Sequence, residues 1–533
     1  MQRSLSALLN LPSTRTDLAA ILTLALALVP RWIEAASTYI NPDESSYFTM
    51  GIGRTLAEVY QRSTATHHPP LFVFVLHAVT RISDSELALR AVPMLAGVTF
   101  PWFFYRWLGL VWNKTAGYLA LAILAFAPHL ISLSAQARGY TLALLGISVS
   151  LYCLERALRE ASTRWLLPAT LALYIAILSE YFTSFFAAGA GIYFLLRAWG
   201  TKPKPAFLGL WAAGQLGGVC IYVLLYFTHV LEIADTGSSV GAMEGFLRHG
   251  FPWPDTNALL FLIKGVVKQS TYLFASLPIG GLMLIPFAFG AWLLWRGQSP
   301  EDARKTRPIL ALATVPFAVA AASSFLRVHP FLDSRHTIIL GVFVALLCSP
   351  ALARCARGRE WTVLPAAVLL IPLWHAAAVT DTHNIGPHRH RRHLMVEAAD
   401  HIRDNLPQGA YVLTDAETKL IIDYYLAPGD SNWEHRTPRS GSWTNHVQIV
   451  SYRYAWKGPD DVRQDLARLR EEFNPPLGQD IWMMEGGWFY NQFDSPEFQE
   501  VAEVDRRFGH AVSLFRFREP AAPEYSLQPD AQR

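Results

Sequence analysis

Adjacent carboxylates, paired histidines and isolated arginines are the side chains of this 533-residue sequence whose types and spacing could do chemistry. Asp43 and Glu44 follow the first long apolar run, within the sequence NPDESSYF. Adjacent carboxylates beside a membrane can serve as a general base or bind a metal ion that neutralises phosphate charge. Asp43 and Glu44 are therefore our candidate catalytic residues. Capping of the helix that follows is an equally good interpretation, because Asp also favours helix N-termini, and the two roles are compatible.

Basic and aromatic side chains form a second candidate set. An arginine guanidinium presents a planar fork that suits phosphate oxygens, and a histidine can hydrogen-bond a phosphate or ligate a metal. Each residue has a structural alternative: a turn, a lipid-facing anchor or a hydrogen bond within a helix bundle. The candidates for phosphate binding are His68, Arg138, Arg335 and His336, and the candidates for lining the substrate are His67, Tyr140, Glu180 and Tyr181.

The composition indicates a membrane protein. Hydrophobic residues make up 52% of the chain and charged residues 16%, whereas soluble domains have about 25% charged residues. The net charge of +3 does not suggest a nucleic-acid partner. The four cysteines lie in or beside apolar runs, so we expect no disulfide or zinc framework. No small-residue cleavage site follows the first apolar run, which we therefore expect to remain as an anchor.

Eleven membrane spans are predicted from runs of about twenty mostly apolar residues. If the N-terminus is cytoplasmic, every turn on the inner side is basic, as the positive-inside bias requires. This layout predicts a bacterial inner-membrane protein with a cytoplasmic N-terminus and a C-terminal domain in the periplasm. The spans are residues 17–37, 87–106, 115–133, 139–157, 164–180, 181–198, 206–229, 276–296, 308–327, 336–354 and 361–379.

The remaining segments predict two structured regions outside the membrane. Residues 38–86 form a long outer loop with interfacial helices at 44–60 and 69–83, since the second of these is too short to span comfortably. The stretch 261–274 is expected to be an amphipathic helix along the interface.

After the last span, helical periodicity predicts a helix at 393–406, alternation predicts a strand at 409–415, and a helix follows at 417–426. Strand-like runs at 446–452, 480–486 and 511–517 complete a small α/β domain. We therefore predict a polytopic α-helical transmembrane domain at 1–380 and a soluble α/β domain at 381–533.

This topology places all the candidate residues on the outer side of the membrane. Ionisable groups near apolar spans are energetically costly, so they are functional candidates by default. A carboxylate and several arginines at a lipid boundary suit a substrate with a phosphate head and a lipid tail. Transfer of the head group would need a base for the acceptor and positive charge for the departing phosphate.

Four ordered motifs resemble the GT-C glycosyltransferase superfamily: PDESSYF, HHPPLF, LRAVPMLAGV and SAQARGYTL. The sequence is most similar to bacterial relatives of protein O-mannosyltransferases, lipid A aminoarabinose transferases and rhizobial lipopolysaccharide galacturonosyltransferases. The resemblance implies a catalytic first outer loop, a polyprenyl-phosphate-sugar donor and inverting transfer to a lipid A, glycan or protein acceptor. It also implies that the protein works among membrane lipids.

The resemblance further implies roles for single residues. Asp43 would act as base or metal partner with Glu44 beside it, and His68 would lie near the donor phosphate. A divalent metal held by Asp43 and His68 is an open alternative to a metal-free site. Arg138 matches the arginine of an Ala-Arg-x-Tyr motif, and Arg335 matches a late-loop arginine of the relatives. His336 stands where relatives usually carry Tyr.

Other functions fit parts of the pattern. A polymerase or ligase of lipid-linked glycans would share the substrate chemistry. A transporter or flippase of lipid-linked sugars would also be polytopic, but transporters often show internal repeats and charges at the membrane midplane. Neither feature is evident in this sequence. A membrane scaffold would leave the one-sided grouping of Asp, Glu, Arg and His without an explanation.

Overall fold

In the computed structural model the chain divides into two compact units. One unit comprises residues 1–36 and 53–382, and the other comprises 37–52 and 383–533. The outer segment 37–52 was predicted within the transmembrane domain, yet it groups with the C-terminal residues. The described residues are 15–64, 68–231, 248–297, 299–331, 333–357, 391–426, 442–444, 447–453, 456, 458–476, 479–487, 496–499, 502–509 and 512–517.

Helices dominate the first unit and flank a sheet in the second. In chain order the described α-helices are α1 (Arg15–Ser37), α2 (Pro42–Gly51), α3 (Leu56–Ser63), α4 (Leu71–Thr80), α5 (Glu86–Val111), α6 (Lys114–Phe126), α7 (Pro128–Ser134), α8 (Tyr140–Glu160), α9 (Leu166–Ser179), α10 (Thr183–Thr201), α11 (Pro205–Leu225), α12 (Ala258–Phe274), α13 (Leu277–Arg296), α14 (Pro300–Phe325), α15 (Ile338–Cys355), α16 (Arg392–Asn405), α17 (Ala416–Leu426), α18 (Pro459–Phe473) and α19 (Pro496–Gln499).

Among the described residues, 7 helices are long and apolar enough to cross a membrane, or up to 8 if α6 and α7 form one broken span. The chain is thus a membrane protein, but eleven spans are not confirmed. The predicted span 115–133 bends by 62° between α6 and α7, where Pro128 begins the second helix. The run 164–198 divides into a short apolar helix ending at Ser179 and α10, which is not among the seven. The predicted span 361–379 lies outside the described residues.

Burial separates the central spans of the first unit from its peripheral ones. The spans at α8 and α15 are 78% and 83% buried, whereas those at α11 and α13 are 11% and 17% buried. The exposed faces of the peripheral helices are apolar, as contact with lipid requires. Arg138 lies two residues before the buried helix α8, and His336 lies two residues before the buried helix α15, so both candidate residues are anchored beside rigid elements.

The outer segment after α1 differs in one respect from the prediction. The single helix predicted at 44–60 is wrong, because the chain forms α2 and α3 with a break between them. Asn41 caps α2, and Thr55 starts a new helix by accepting a hydrogen bond from the amide of Glu58 at 3.2 Å. Helices are confirmed within 69–83, as α4, and at 261–274, within α12, and their place along the membrane interface stays a prediction.

The C-terminal residues form a six-stranded mixed sheet, which confirms the predicted α/β fold. The strand order is β2-β3-β1-β4-β6-β5, with β1 parallel to both β3 and β4 and the outer pairs antiparallel. The sequence pattern missed α18, β2 and β5. The strands are β1 (Ala410–Leu413), β2 (Ser442–Thr444), β3 (Val447–Val450), β4 (Ile481–Glu485), β5 (Ala502–Phe508) and β6 (Val512–Phe517).

Successive residues along the strands point to opposite faces of this sheet and pack into two separate hydrophobic cores. Val412 packs with α16 and α17 on one face, and Leu413 packs with α18 on the other. From β1 the chain passes to β3 on one side and then returns past β1 to β4. Right-handed connections in opposite directions place their helices on opposite faces, which explains the position of α17 and α18.

Candidate functional site

A buried chain of three side chains lies in the first unit. The Nδ1 atom of His68 is 2.9 Å from Oε2 of Glu180, and its Nε2 atom is 2.9 Å from an Nη2 nitrogen of Arg138. His68 is 8% exposed, Glu180 3% and Arg138 2%. An acid, an imidazole and a guanidinium are thus brought together from positions far apart in the sequence.

The hydrogen bonds fix the protonation of His68. A guanidinium has only donors, so Nε2 of His68 must accept from Arg138. The ring proton therefore resides on Nδ1 and is donated to the Glu180 carboxylate. This neutral tautomer links the negative charge of Glu180 to the positive charge of Arg138 while each ion stays buried. Pairing of this kind offsets the cost of burying both charges.

Local features of the sequence position each member of the chain. His68 precedes Pro69 and Pro70, which lead into α4, and Glu180 follows the last residue of α9. Arg138 lies in the turn between α7 and α8, next to Gly139. A Cβ atom on Gly139 would come within 3.0 Å of the Ser179 carbonyl oxygen and 3.5 Å of Oε1 of Glu180. A methyl group at this position would be crowded against the end of α9, so glycine suits this close approach.

Aromatic rings surround the buried chain. The ring of Tyr140 lies 4.9 Å below the Arg138 guanidinium, and its edge meets the His68 ring at 5.8 Å. His336 stacks on His68 at 6.0 Å and meets Tyr140 at 6.3 Å. On its other side Tyr140 stacks on Phe182 at 6.4 Å. The rings hold Arg138 and His68 in place, and the cation–π contact adds to the stability of the guanidinium.

The loop before α15 adds further charges. Arg335 begins the short helical turn Arg335–Thr337, so its charge neighbours His336. Asp333 accepts a hydrogen bond at 3.2 Å from Lys268 of α12. Burial lowers the pKa of His329 to about 4, so this histidine is neutral at pH 7. Because Asp333 is paired with Lys268, the remaining charges of Glu180, Arg138 and Arg335 sum to one positive charge, which favours an anionic ligand.

The carboxylates after the first span have a different setting, in the second unit. Oε2 of Glu44 accepts from the Asn41 backbone amide at 3.1 Å and from its side chain at 2.9 Å, while Asn41 accepts from the Glu44 amide at 3.0 Å. This is a capping box, so Glu44 stabilises the start of α2. Glu44 is 1% exposed, whereas Asp43 is half-buried.

The next question is whether His68 and the side chains around it could bind a metal ion. Within the described ranges, no group of three or more His, Cys, Asp or Glu side chains could hold one. Both ring nitrogens of His68 are already hydrogen-bonded, so its lone pair points to Arg138 and not to an open coordination position. The surroundings of His68 therefore do not fit a metal site.

Of the two remaining predicted residues, the structure describes one. Tyr181, next to Glu180 in the sequence, is half-buried and packs against the hydrophobic core of the first unit. His67 lies outside the described residues. Sequence reasoning missed Phe182, His129 and Tyr272, the last two stacked at 3.8 Å. His129 lies in α7 directly after Pro128, and a polar residue inside an apolar run was the signal that could have identified it.

Comparisons with known proteins agree with this architecture. Residues 67–224 match the family of dolichyl-phosphate-mannose-protein mannosyltransferases. No curated protein matches the chain. The crystal structure of ArnT from Cupriavidus metallidurans in the apo state is 13% identical, covers 93% of this chain and 97% of its own, and has a TM-score of 0.52.

A second structure of ArnT from the same organism, bound to undecaprenyl phosphate, has the same identity and coverage and a TM-score of 0.54. An oligosaccharyltransferase from Archaeoglobus fulgidus is 11% identical, covers 88% of this chain and 69% of its own, and has a TM-score of 0.47. The resemblance predicted from the four motifs is therefore confirmed, and this chain is a membrane protein with the fold of the GT-C glycosyltransferase superfamily.

Proposed function

We propose that this protein is an inverting glycosyltransferase that moves a sugar from a polyprenyl-phosphate donor to an acceptor. The observation that carries the proposal is the buried chain Glu180–His68–Arg138, with Arg335 nearby, in a protein with the GT-C fold. ArnT, which shares this fold, binds undecaprenyl phosphate. A lipid phosphate suits this group, because the half-buried Arg335 adds a positive charge beside the paired Glu180 and Arg138 at the ends of membrane helices.

Each group has one role in the proposed reaction. Asp43 accepts the proton of an acceptor hydroxyl as its oxygen attacks the anomeric carbon. The bond between that carbon and the phosphate oxygen breaks, and its electron pair leaves with the lipid phosphate. Arg138 and Arg335 stabilise the phosphate charge, and His68 and His336 border it. Positioned charge in a site that excludes water is worth more than in solution.

Other residues hold these groups or contact the sugar. Glu44 is assigned the cap of α2, so it positions Asp43 and takes no proton. Oε1 of Glu180 is buried and has no hydrogen-bond donor among the described residues, so it suits a hydroxyl of the substrate. Tyr140 and Tyr181 complete the lining, together with His67. The acceptor is a lipid A, another glycan or a protein.

The proposed location follows from the charge of the turns. Basic residues between the spans put the N-terminus in the cytoplasm and the C-terminal domain in the periplasm of a bacterial inner membrane. Polyprenyl-phosphate sugars and membrane lipids are the partners there, and nucleic acid is not. In this proposal the positive charges of Arg138 and Arg335 stabilise the negative charge of the phosphate, which is the role that a metal ion would otherwise have. A divalent ion beside Asp43 is the alternative, and chelation tests it.

The test compares cell-envelope glycans, lipid A and glycoproteins of a deletion strain by mass spectrometry. Complementation with the wild type should restore one modification, while Asp43→Asn and Arg138→Ala should reduce it by about 100-fold or more, because a general base or an oxyanion-stabilising group contributes that much. Asp84→Asn is the matched control for the loss of a carboxylate in the same outer loop, and it should restore the modification fully. Transfer by isolated membranes should survive EDTA.

Near-normal transfer by a well-expressed Asp43→Asn variant would overturn the role of the base. Loss of transfer in EDTA with recovery on adding Mg²⁺ or Mn²⁺ would show that a metal assists Asp43. Glycan chains of altered length in place of a missing sugar would favour a polymerase or ligase instead.

A further inference from the structure

The segment that carries Asp43 is built into the C-terminal unit. Residues 37–52 and 383–533 cluster together as one compact body. We propose that the C-terminal domain positions Asp43 for transfer and that Tyr39 and Tyr425 are the positioning residues. This inference rests on the role proposed above for Asp43. It gives the sheet domain a function in the reaction beyond recognising an acceptor.

Tyr39 anchors the segment in the core of the domain. It is 1% exposed and packs with Met395, Ile421 and other apolar residues of α16, α17 and the sheet. Its hydroxyl donates to the Gly486 carbonyl oxygen at 3.1 Å. One residue earlier, Thr38 forms an isolated antiparallel bridge with Arg391, just before α16. The segment is therefore fixed where it enters α2.

Helix α17 holds the next residues. The backbone amide of Ile40 donates to the Tyr425 hydroxyl at 3.1 Å, and both residues are buried. Further along α2, the ring of Phe48 meets the ring of Tyr424 edge-on at 5.1 Å. Tyr425 and Tyr424, consecutive residues of α17, thus contact the segment before and after Asp43. An amide buried in this way costs free energy if its acceptor is removed.

The cap transmits this anchoring to Asp43. Asn41 follows Ile40 directly, and its hydrogen bonds with Glu44 set the direction in which α2 begins. Asp43 lies between these two residues in the first turn of the helix. Hydrogen bonds to Gly486 and Tyr425 therefore determine where the Asp43 backbone lies, although neither residue contacts the substrate in our proposal.

The position of the anchor on the sheet is consistent with a binding role. Gly486 follows the carboxyl end of β4, and α17 begins after the carboxyl end of β1. Open parallel sheets bind ligands at the carboxyl ends of their strands. In this protein that edge binds the chain's own segment through Tyr39, so the ligand of the domain is the helix that bears the proposed base.

The experiment uses the full-length protein and the variant Tyr425→Phe, which removes one hydroxyl. Hydrogen exchange of peptides from 37–52 reports anchoring, and undecaprenyl phosphate is the probe for the phosphate site. Transfer is measured in membranes of the deletion strain. Tyr411→Phe is the matched control, because Tyr411 packs against Phe473 on the opposite face of the same sheet. Asp43→Asn tests the role of the base in the same assay.

For Tyr425→Phe we expect faster exchange in 37–52, unchanged affinity for undecaprenyl phosphate, and transfer reduced about 2- to 10-fold, the effect of one lost hydrogen bond. Tyr39→Phe should behave in the same way, and Tyr411→Phe should match the wild type. The inference is overturned if Tyr425→Phe leaves exchange unchanged, or if it loosens 37–52 while transfer stays normal. If Asp43→Asn transfers normally, the proposed role of Asp43 as the base fails and the positioning role fails with it.

Discussion

Glu180 determines what its two partners can do. Its carboxylate holds the proton of His68 on Nδ1 and so leaves Nε2 to accept from Arg138. Without that carboxylate the imidazole could turn its proton toward the guanidinium, and two donors would then face each other. In the proposed function, Glu180 thereby sets the geometry in which Arg138 would meet the donor phosphate, without itself contacting that phosphate.

Substitution of Glu180 separates its charge from its hydrogen bond. Glu180→Gln keeps an oxygen that can accept from His68 but loses the charge, so we expect transfer to fall about 10-fold. Glu180→Ala removes the acceptor as well and should cost about 100-fold, since charge-assisted hydrogen bonds contribute about 1.5–3 kcal/mol. Transfer in membranes, normalised to protein level, measures both variants.

A carboxylate elsewhere in the first unit provides the control. Glu160 is the last residue of α8, at the opposite end of that helix from Arg138, and it pairs with Arg156 and Arg164. Glu160→Gln removes the charge of a carboxylate at an exposed position, where ion pairs contribute little. It should leave transfer within about twofold of the wild type. Equal activity of Glu180→Ala and Glu160→Gln would show that the buried chain has no role in transfer.

At the scale of elements, the close approach of the α7–α8 turn to the end of α9 brings the chain of side chains together. Gly139→Ala would put a methyl group 3.0 Å from the Ser179 carbonyl oxygen and 3.3 Å from Cβ of Phe72. The neighbouring groups must then give way by a few tenths of an ångström, and crowding of this kind costs about 1–3 kcal/mol. We expect a lower Tm in detergent and a several-fold loss of transfer, because Arg138 and Glu180 move apart.

A second glycine of the first unit, Gly191, provides a control for the general effect of adding a methyl group. Gly191 lies within α10, and a Cβ atom there would meet nothing within 4 Å. Gly191→Ala should raise the Tm slightly, because alanine favours the helix. If Gly139→Ala is as stable and as active as Gly191→Ala, the close approach does not control the geometry of Arg138.

Elements were predictable from the sequence where local patterns specify them. Helical periodicity identified α16 and alternation identified β1, because burial of one face leaves a regular trace in neighbouring residues, and a short apolar run identified α4. The division of 44–60 into α2 and α3 was missed, since it depends on a new cap at Thr55. The bend inside the predicted span 115–133 was also missed, because hydropathy does not show where an apolar run turns.

The pairing of distant residues was not predictable in the same way. The motifs brought His68, Arg138 and Glu180 to one side of the membrane, but not their order in a hydrogen-bonded chain. His68 and Glu180 are separated by 112 positions, and Tyr39 and Gly486 by 447. Contacts over such separations leave no periodic signal in one sequence. The grouping of 37–52 with the C-terminal domain is the largest feature missed for this reason.

At the scale of the whole molecule, the orientation in the membrane decides which donor and acceptor can reach the protein. Arg296, Arg304, Lys305 and Arg307 cluster around the connection between α13 and α14, and the positive-inside bias places such a cluster in the cytoplasm. The C-terminal sheet would then lie outside. Two single cysteines can test both placements in one membrane preparation.

Asp505 in β5 and Lys305 in α14 are both exposed, so cysteine at either position is open to reagents in solution. The background would lack Cys220 and Cys355, which are exposed, and keep Cys153 and Cys348, which are buried. A membrane-impermeant maleimide should label Asp505→Cys in intact spheroplasts and Lys305→Cys only after lysis. Labelling in the reverse order would put the C-terminal domain in the cytoplasm, where a periplasmic acceptor could not meet Asp43.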